Sequence, residues 1–328
     1  MKTAVVGGGS WGTALAIHLA RCDHAVTLWM RDPAVAQRVQ HRRENSAYLP
    51  EVQLPPEVEA TADLGAALGS ADIVFMVVPS DSARQVYRKV LALAPAEAPL
   101  VSATKGLEIE SLSRMSEVAA EEAPGRALAV LSGPSFAVEV ARGQPTAVVV
   151  ASSDRFVAET VQRALASRTF RAYSSDDVIG VELAGALKNV IAIAAGTVDG
   201  LGYGHNTVAA LVTRGLAEIT RLAVREGGRA DTLAGLAGLG DLVLTCTGDM
   251  SRNRRVGQAL GRGLSLGEAV ALTRTVAEGV RTARAAAALA ARANVEMPIV
   301  QAMNAVLYEG KHPREAVDEL MLRSLKRE

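Results

Sequence analysis

Cysteine and net charge are both scarce in this sequence. Cys22 and Cys246 are the only two cysteines among 328 residues, and neither stands in a CxxC or a Cys/His pattern. This argues against a disulfide framework and against a structural zinc site, and it suits a reducing compartment. Because 35 basic residues balance 35 acidic ones, the chain has no general attraction to nucleic acid or to an anionic membrane. Any anion site must therefore be local.

Long uncharged apolar runs are absent as well. The nearest approach, 181–198, contains Glu182 and Lys188, whereas a membrane span needs about 18 or more apolar residues. No signal-peptide pattern is visible at the start, and the five histidines show no metal-ligand spacing. We therefore expect a cytoplasmic protein without a membrane span, a metal or a nucleic-acid partner. Its oligomeric state stays open, a homodimer being one possibility.

Two halves of the chain differ in their hydrophobic pattern. In the first half, short apolar runs alternate with segments of helical periodicity, which predicts a doubly wound, mostly parallel sheet. The expected strands lie at 4–6, 26–29, 73–78, 100–103, 127–131, 147–150 and 169–173. Long Ala- and Leu-rich helical segments then follow at 178–197, 207–226, 252–260, 278–293 and 298–308. We predict an α/β domain at 1–180 and an all-α domain at 181–328.

A glycine-rich motif joins the first expected strand to a helix. Its glycines are Gly7, Gly9 and Gly12, which permit a tight turn, a close approach to a pyrophosphate and close helix–strand packing. The free N–H groups of the following helix attract phosphate. The first domain is thus predicted to be a Rossmann-type domain that binds NAD(P).

Arg31 and Asp32 follow the second expected strand. An acidic residue at this place holds the ribose 2′-hydroxyl of NAD, whereas an arginine accommodates the 2′-phosphate of NADP. Because Arg31 comes first, the sequence favours NADP(H) and leaves NAD(H) open.

Other polar residues follow later strands. Lys105 comes directly after the strand at 100–103, and Gly133 and Ser135 come after the strand at 127–131. In open α/β sheets, ligands bind at the carboxyl ends of the strands. We expect Lys105 to project into that crevice and Ser135 to bind an oxygen anion, although a solvated lysine and a plain helix start remain open.

Lys188 lies midway along an almost entirely apolar helical segment. Lysine is rarely buried without a partner, and burial lowers its pKa towards the range of a general acid or base. We therefore predict that Lys188 is catalytic, while a lysine that extends to the helix edge is the alternative. Asp241 could orient it.

The helix start at Ser251 is unusually basic. Ser251 resembles an N-cap, and Arg252, Arg254 and Arg255 crowd the first turn, where cations are unfavourable. The sequence therefore predicts that an anion, such as a substrate phosphate, binds there.

Taken together, these residues resemble a known family. Six segments of the chain are similar to those of the bacterial NAD(P)-dependent glycerol-3-phosphate dehydrogenases. They are GGGSWGTALA at 7–16, ATKGL at 103–107, SGPSFA at 132–137, LKNVIA at 187–192, GLGDL at 238–242 and SRNR at 251–254. The resemblance implies reversible reduction of dihydroxyacetone phosphate to sn-glycerol 3-phosphate for phospholipid synthesis.

The resemblance also implies residue roles. It makes Lys188 the proton donor and acceptor. It implies that the substrate contacts are Lys105, Gly133, Ser135, Lys188, Asp241, Ser251, Arg252 and Asn253. It implies that the cofactor contacts are Ser10, Trp11, Arg31, Tyr48, Lys105, Ala137, Arg252, Val276 and Glu278, beside the glycines of the loop.

Two other functions remain open from the residues alone. A 2- or 3-hydroxyacid dehydrogenase would share the expected fold, and the basic helix start would then bind a carboxylate. A regulator that senses a dinucleotide without turnover would leave Lys188 and Arg252 without a task.

Overall fold

The computed structural model describes residues 1–273 and 277–324. The chain divides into two units by its internal contacts. The first unit comprises Met1–Lys105 and Ser113–Glu182, and the second comprises Gly106–Leu112 and Leu183–Glu328. The first is built on a sheet and the second is helical, so the predicted fold class is confirmed.

The first unit alternates strands and helices along the chain. Its strands are β1 (Lys2–Val6), β2 (Ala25–Trp29), β3 (Glu44–Asn45), β4 (Leu49–Gln53), β5 (Val58–Thr61), β6 (Ile73–Met76), β7 (Leu100–Ser102), β8 (Leu128–Ser132), β9 (Thr146–Ala151) and β10 (Phe170–Ser175). Its helices are α1 (Ser10–Arg21), α2 (Pro33–Arg42), α3 (Leu64–Leu68), α4 (Ser80–Leu91), α5 (Met115–Glu122), α6 (Ala137–Ala141) and α7 (Arg155–Leu165).

Eight of these strands form one sheet in the order β10-β9-β8-β7-β6-β1-β2-β5. Neighbours from β5 to β8 are parallel, and only β8 and β9 pair antiparallel. The seven predicted strands are all in this sheet. The short strand β5 and the separate hairpin of β3 and β4 were not predicted, because their residues form no continuous apolar run.

The central strands are buried on both faces. Val5 of β1 belongs to one core cluster with Leu15 of α1, whereas Val6 belongs to a second cluster with Tyr87 of α4. Alternate residues of one strand point to opposite faces, so both faces need apolar residues. This is why the strands read as nearly continuous apolar runs.

The direction of winding reverses between β1 and β6. From β1 the chain builds outward through β2 and β5, and from β6 it builds the other way through β7 and β8. Ligands of open α/β sheets bind at the carboxyl end of the strands beside such a reversal. The glycine-rich loop, which directly follows β1, therefore lies where a dinucleotide is expected.

The second unit consists of helices. They are α8 (Val178–Gly200), whose first residues belong to the first unit, and α9 (His205–Arg225), α10 (Ala230–Ala234), a π-helical turn (Leu236–Gly240), α11 (Asp241–Thr247), α12 (Arg252–Gly261), α13 (Leu266–Ala271), α14 (Glu278–Arg292), α15 (Pro298–Tyr308) and α16 (Pro313–Met321). All five long helices predicted from the sequence are present.

The long helix α8 is surrounded by protein. By length and composition it is the one described helix that could cross a membrane, but 89% of its apolar stretch is buried inside the fold. Its polar side chains Glu182, Lys188 and Asn189 are buried as well. Buried polar groups require hydrogen-bond partners, so α8 has the character of a core helix that also carries a site.

Glycines let α8 and α12 touch through their backbones. A Cβ on Gly257 of α12 would lie 1.9 Å from the carbonyl oxygen of Ile193, and one on Gly196 of α8 would lie 1.9 Å from that of Arg254. Side chains larger than hydrogen therefore do not fit at this crossing. The close contact fixes α12 directly beside the helix that carries Lys188.

A buried carboxylate joins α9 to the start of α15. Glu218 is 2% exposed and accepts hydrogen bonds from the backbone N–H groups of Ile299 at 2.8 Å and Val300 at 3.3 Å. Burial raises the pKa of Glu218 to about 7, although these donors act in the opposite direction. The bonds supply partners for N–H groups that a helix start leaves free.

The glycine contact yields a test by matched substitutions. Gly257→Ala is expected to lower the free energy of unfolding by about 1–3 kcal/mol, because the methyl group forces the two backbones apart. Gly267→Ala in α13 is the control, since a Cβ there meets no atom within 4 Å. That change should be neutral or stabilising by about 0.5–1 kcal/mol. Urea unfolding followed by circular dichroism measures both, and equal effects would contradict the account.

Candidate functional site

Two glycines of the first loop are required by packing. Gly7 has a φ of +126°, and a Cβ on it would lie 2.2 Å from the carbonyl oxygen of Val77. A Cβ on Gly12 would lie 1.8 Å from the carbonyl oxygen of Gly7. The loop and the first turn of α1 are thus pressed together and against the residues that follow β6, as the sequence predicted for a dinucleotide loop.

Gly9 differs, because the space beside it is open. A Cβ on Gly9 would meet no atom within 4 Å. Gly9 is also the N-cap of the 12-residue helix α1, and no side chain caps this end. Helix starts of this kind present free N–H groups and a positive dipole end. An open backbone beside an uncapped helix start fits a pyrophosphate.

Three predicted cofactor contacts lie around this helix start. The hydroxyl of Ser10 donates a hydrogen bond of 2.6 Å to the carbonyl oxygen of Tyr48, whose side chain is exposed. Trp11 packs against the core, and its buried indole N–H has no partner among the described residues. Ser10 and Tyr48 are therefore in contact, and the indole N–H of Trp11 is a hydrogen-bond donor without a partner among the described residues.

The two charged residues after β2 have different environments. Asp32 is the N-cap of α2, and its Oδ1 accepts hydrogen bonds from the N–H groups of Ala34 at 2.8 Å and Val35 at 3.2 Å. The side chain of Arg31 is exposed. The carboxylate of Asp32 thus stabilises the start of α2, whereas the side chain of Arg31 is exposed to solvent.

The loops that follow β7 and β8 meet. The ammonium of Lys105 donates a hydrogen bond of 2.9 Å to the carbonyl oxygen of Gly133, and the hydroxyl of Ser135 donates one of 2.9 Å to the same atom. Gly133 has a φ of +127°, a conformation that favours glycine. Ala137 begins α6. These residues therefore form one polar cluster within the first unit.

Lys188 is buried in the second unit and is 6% exposed. Its ammonium forms an ion pair with Oδ1 of Asp241 and donates a hydrogen bond of 2.8 Å to the hydroxyl of Thr245. Asp241 is only 1% exposed. The expected burial of Lys188 is confirmed, and Asp241 is its anionic partner. A buried charge pair of this kind is stable only when its remaining donors and acceptors are satisfied.

The local fold around Asp241 sets this geometry. A π-helical turn, Leu236–Gly240, directly precedes it, and such turns occur often at functional sites. A Cβ on Gly238 would lie 2.0 Å from the carbonyl oxygen of Leu233, so the turn is tight. Thr245 follows Asp241 by four residues, which puts both side chains on one face of α11.

The thiol of Cys246, next to Thr245 in the chain, is not ionised at neutral pH. Cys246 is 1% exposed, and burial raises its pKa to about 12, with Lys188 and Asp241 close enough to influence it. A thiol of this pKa stays protonated at neutral pH. Cys246 is therefore not suited to proton transfer at neutral pH.

One arginine of the basic helix start is neutralised within the protein. Arg254 forms ion pairs with Asp199 at 2.9 Å and with Asp249 at 2.8 Å, and Arg255 donates to the carbonyl oxygen of Asp249. An external anion is therefore not required for Arg254, contrary to the prediction from sequence, whereas the partner of Arg255 is a neutral carbonyl oxygen. Arg252 is exposed and interacts electrostatically with Glu278.

Ser251 and Asn253 have structural tasks at the same helix start. The hydroxyl of Ser251 caps α12 by accepting a hydrogen bond of 3.2 Å from the N–H of Arg254. The amide of Asn253 donates to Oδ1 of Asn189 at 2.9 Å and accepts from the N–H of Gly279 at 3.0 Å. These bonds join α12 to α8 and α14. Direct substrate contacts of Ser251 and Asn253 stay predictions.

The remaining predicted cofactor contacts are Glu278 and Val276. Glu278 begins α14 beside Asn253 and Arg252. Val276 lies outside the described residues. The sequence reasoning missed Thr245 and Asn189, although the spacing of Thr245 from Asp241 on one helix and the position of Asn189 next to Lys188 were both visible.

The two units together define a class of protein. One carries a dinucleotide loop at a sheet reversal, and the other carries a buried lysine with an anionic partner. No group of three or more His, Cys, Asp or Glu residues in the described part of the chain could hold a metal ion. These features are those of an NAD(P)-dependent oxidoreductase.

Comparison with known proteins identifies the family. Residues 2–158 match the family described as NAD-dependent glycerol-3-phosphate dehydrogenase N-terminus, and residues 177–318 match the corresponding C-terminus. The chain therefore belongs to the NAD(P)-dependent glycerol-3-phosphate dehydrogenases, which interconvert dihydroxyacetone phosphate and glycerol 3-phosphate.

Individual relatives agree over the whole length. The glycerol-3-phosphate dehydrogenase (NAD(P)+) of Citrifermentans bemidjiense is 52% identical, covering 100% of this chain and 98% of its own. That of Oleidesulfovibrio alaskensis is 53% identical and covers 100% of both. The crystal structure of glycerol-3-phosphate dehydrogenase from Coxiella burnetii, at 42% identity, covers 98% of this chain and 99% of its own with a TM-score of 0.95.

The buried ion pair makes a prediction about stability. Asp241→Asn is expected to lower the free energy of unfolding by about 3–5 kcal/mol, because the buried ammonium of Lys188 loses the Asp241 charge. The double variant Lys188→Met/Asp241→Leu removes both charges and should recover most of that loss. Urea unfolding measures both variants. A loss below about 1 kcal/mol for Asp241→Asn, within the range of an exposed pair, would contradict the assignment.

Proposed function

We propose that this chain reduces dihydroxyacetone phosphate to sn-glycerol 3-phosphate, reversibly and in the cytoplasm, and so supplies glycerol 3-phosphate for phospholipid synthesis. The observation that carries the proposal is the buried cluster of Lys188, Asp241 and Thr245 in a chain of this family. Reduction of a ketone to an alcohol requires one hydride and one proton. NAD(P)H, when bound, supplies the hydride.

The proton comes from Lys188 in this proposal. Its ammonium donates to the carbonyl oxygen of the substrate as negative charge develops there, and it accepts the proton back in the reverse reaction. Asp241 fixes the direction of the ammonium through their ion pair. The hydroxyl of Thr245, which accepts a second N–H of Lys188, restricts the remaining freedom.

Arg252 is assigned to the substrate phosphate. It stands in the first turn of α12 with an exposed side chain, whereas Arg254 has two carboxylate partners. An arginine beside a helix start suits phosphate, because charge-assisted hydrogen bonds and free N–H groups act on the same anion. Contacts of Lys105 and Ser135 with the substrate stay predictions.

NADP(H) is the favoured cofactor in this proposal. The support is that Oδ1 of Asp32 caps α2, which leaves a ribose hydroxyl only the other oxygen of this carboxylate, while Arg31 is exposed. A higher kcat/KM for NADPH than for NADH is the expected result, and equal values would remove the preference.

A homodimer remains a prediction, which the mass in solution tests against the 34.2 kDa of one chain.

Replacing Lys188 tests the proton transfer. Lys188→Ala is expected to lower turnover of dihydroxyacetone phosphate at least tenfold, a cost of about 1.4 kcal/mol in the barrier. Lys89→Ala, at an exposed lysine of α4, is the control and should turn over normally. Titration of NADPH binding confirms that Lys188→Ala is folded. A smaller loss of turnover in a folded variant would exclude Lys188 as the proton donor.

Replacing Arg252 tests the phosphate contact. Arg252→Ala is expected to raise the KM for dihydroxyacetone phosphate about tenfold or more, since a hydrogen bond to a charged group is worth about 1.5–3 kcal/mol. Arg255→Ala removes the same charge three residues further along the helix and should leave KM nearly unchanged. Steady-state kinetics on both variants provide the comparison. Equal KM values would place Arg252 outside the substrate site.

A further inference from the structure

A polar residue occupies a core position beside the glycine-rich loop. Asn45 of β3 faces Leu49 of β4 in the register of the hairpin. Asn45 is 0% exposed and Leu49 is 1% exposed, whereas the three residues between them are exposed. The two ends of this turn are therefore fixed in the core. Leu49 is part of the apolar cluster, but Asn45 needs polar partners there.

Those partners belong to the dinucleotide loop and its helix. The side-chain amide nitrogen of Asn45 donates to the carbonyl oxygen of Gly8 at 2.9 Å and to the hydroxyl oxygen of Thr13 at 2.8 Å. Both amide hydrogens are thereby used. Oδ1 of Asn45 has no partner among the described residues, so the hydrogen bonds of this side chain there are the two that it donates.

The bond to Gly8 fixes a peptide plane. A trans peptide is planar, and its C=O and N–H groups point in opposite directions. Because the carbonyl of Gly8 points to Asn45, the N–H of Gly9 points away from the buried hairpin. Gly9 is the residue with open space beside it and with the uncapped helix start behind it. Glycines are the residues that most readily change conformation, so an outside restraint is needed here.

A second bond joins the same hairpin to the loop. The hydroxyl of Ser10 donates to the carbonyl oxygen of Tyr48 at 2.6 Å, and the N–H of Tyr48 donates to the carbonyl oxygen of Asn45 at 3.1 Å. The turn between β3 and β4 thus holds the loop at two successive points, one on each side of Gly9.

We infer that Asn45 is a positioning residue for the cofactor, which holds the Gly8–Gly9 peptide so that the N–H of Gly9 faces the pyrophosphate of NAD(P)H. This inference rests on the proposed use of NAD(P)H at the loop. The bond from Asn45 restrains the loop before any ligand binds. Binding then needs little reordering of the glycines, and affinity gains from that preorganisation.

The test compares Asn45→Leu with Thr13→Val. Leucine is similar in size to asparagine and removes both donated bonds, whereas valine at position 13 removes only the acceptor on α1 and keeps the bond to Gly8. Fluorescence titration with NADPH and with NADH gives the dissociation constants, and thermal unfolding without cofactor gives the stability. Titrations are carried out well below the unfolding temperature of either variant.

Asn45→Leu is expected to raise the dissociation constants for NADPH and NADH at least tenfold. At saturating cofactor, its kcat should stay within about twofold of the unsubstituted chain, because a positioning effect on binding is then overcome. Thr13→Val should lose stability but bind both dinucleotides within about threefold. If Asn45→Leu does not fold, Asn45→Ser is used, because its shorter side chain does not reach Gly8.

Two outcomes overturn the inference while leaving the proposed function intact. One is unchanged affinity for NADPH in a folded Asn45 variant. The other is an equal loss of affinity in Thr13→Val, which would make the effect one of general stability. Failure of the unsubstituted chain to bind either dinucleotide would instead contradict the cofactor assignment, and the role of Asn45 with it.

Discussion

The buried ion pair between Lys188 and Asp241 sets the main constraint on the second unit. Two charges taken out of water are stable only with close geometry and further hydrogen bonds. Thr245 supplies one of these hydrogen bonds. The π-helical turn before α11 positions Asp241 next to the ammonium of Lys188. The glycine crossing of α8 and α12 then brings a basic helix start beside the same helix. The buried ion pair and the close helix packing of this unit therefore both depend on α8.

The first unit has a different constraint, which is the close packing of the glycine-rich loop against its neighbours. Gly7 and Gly12 are fixed by contacts that leave no room for a Cβ, while Gly9 is open. A loop of glycines gains access to a pyrophosphate but loses rigidity. The hairpin of β3 and β4 restores that rigidity through Asn45 and Ser10. The conformation of the glycine-rich loop therefore depends on the residues that restrain it as well as on its own glycines.

Sequence patterns predicted the parts that depend on local rules. The seven predicted strands follow from short apolar runs and the five long helices from helical periodicity, and the burial of Lys188 follows from its apolar neighbours. The hairpin holding Asn45 escaped prediction, because β3 has two polar residues and no periodicity. The neutralisation of Arg254 by Asp199 also escaped it, since that pair is separated by 55 residues. Long-range pairing of polar groups leaves no local trace in one sequence.

The central claim is that this site reduces dihydroxyacetone phosphate with a hydride from NAD(P)H. Its most direct test is the initial rate of NADPH and NADH oxidation with dihydroxyacetone phosphate, together with assay of the product. The account predicts oxidation that depends on dihydroxyacetone phosphate, one mole of sn-glycerol 3-phosphate for each mole of cofactor, and a faster rate with NADPH. Binding of both dinucleotides without oxidation by this substrate, or faster turnover of a 2- or 3-oxoacid, would contradict it.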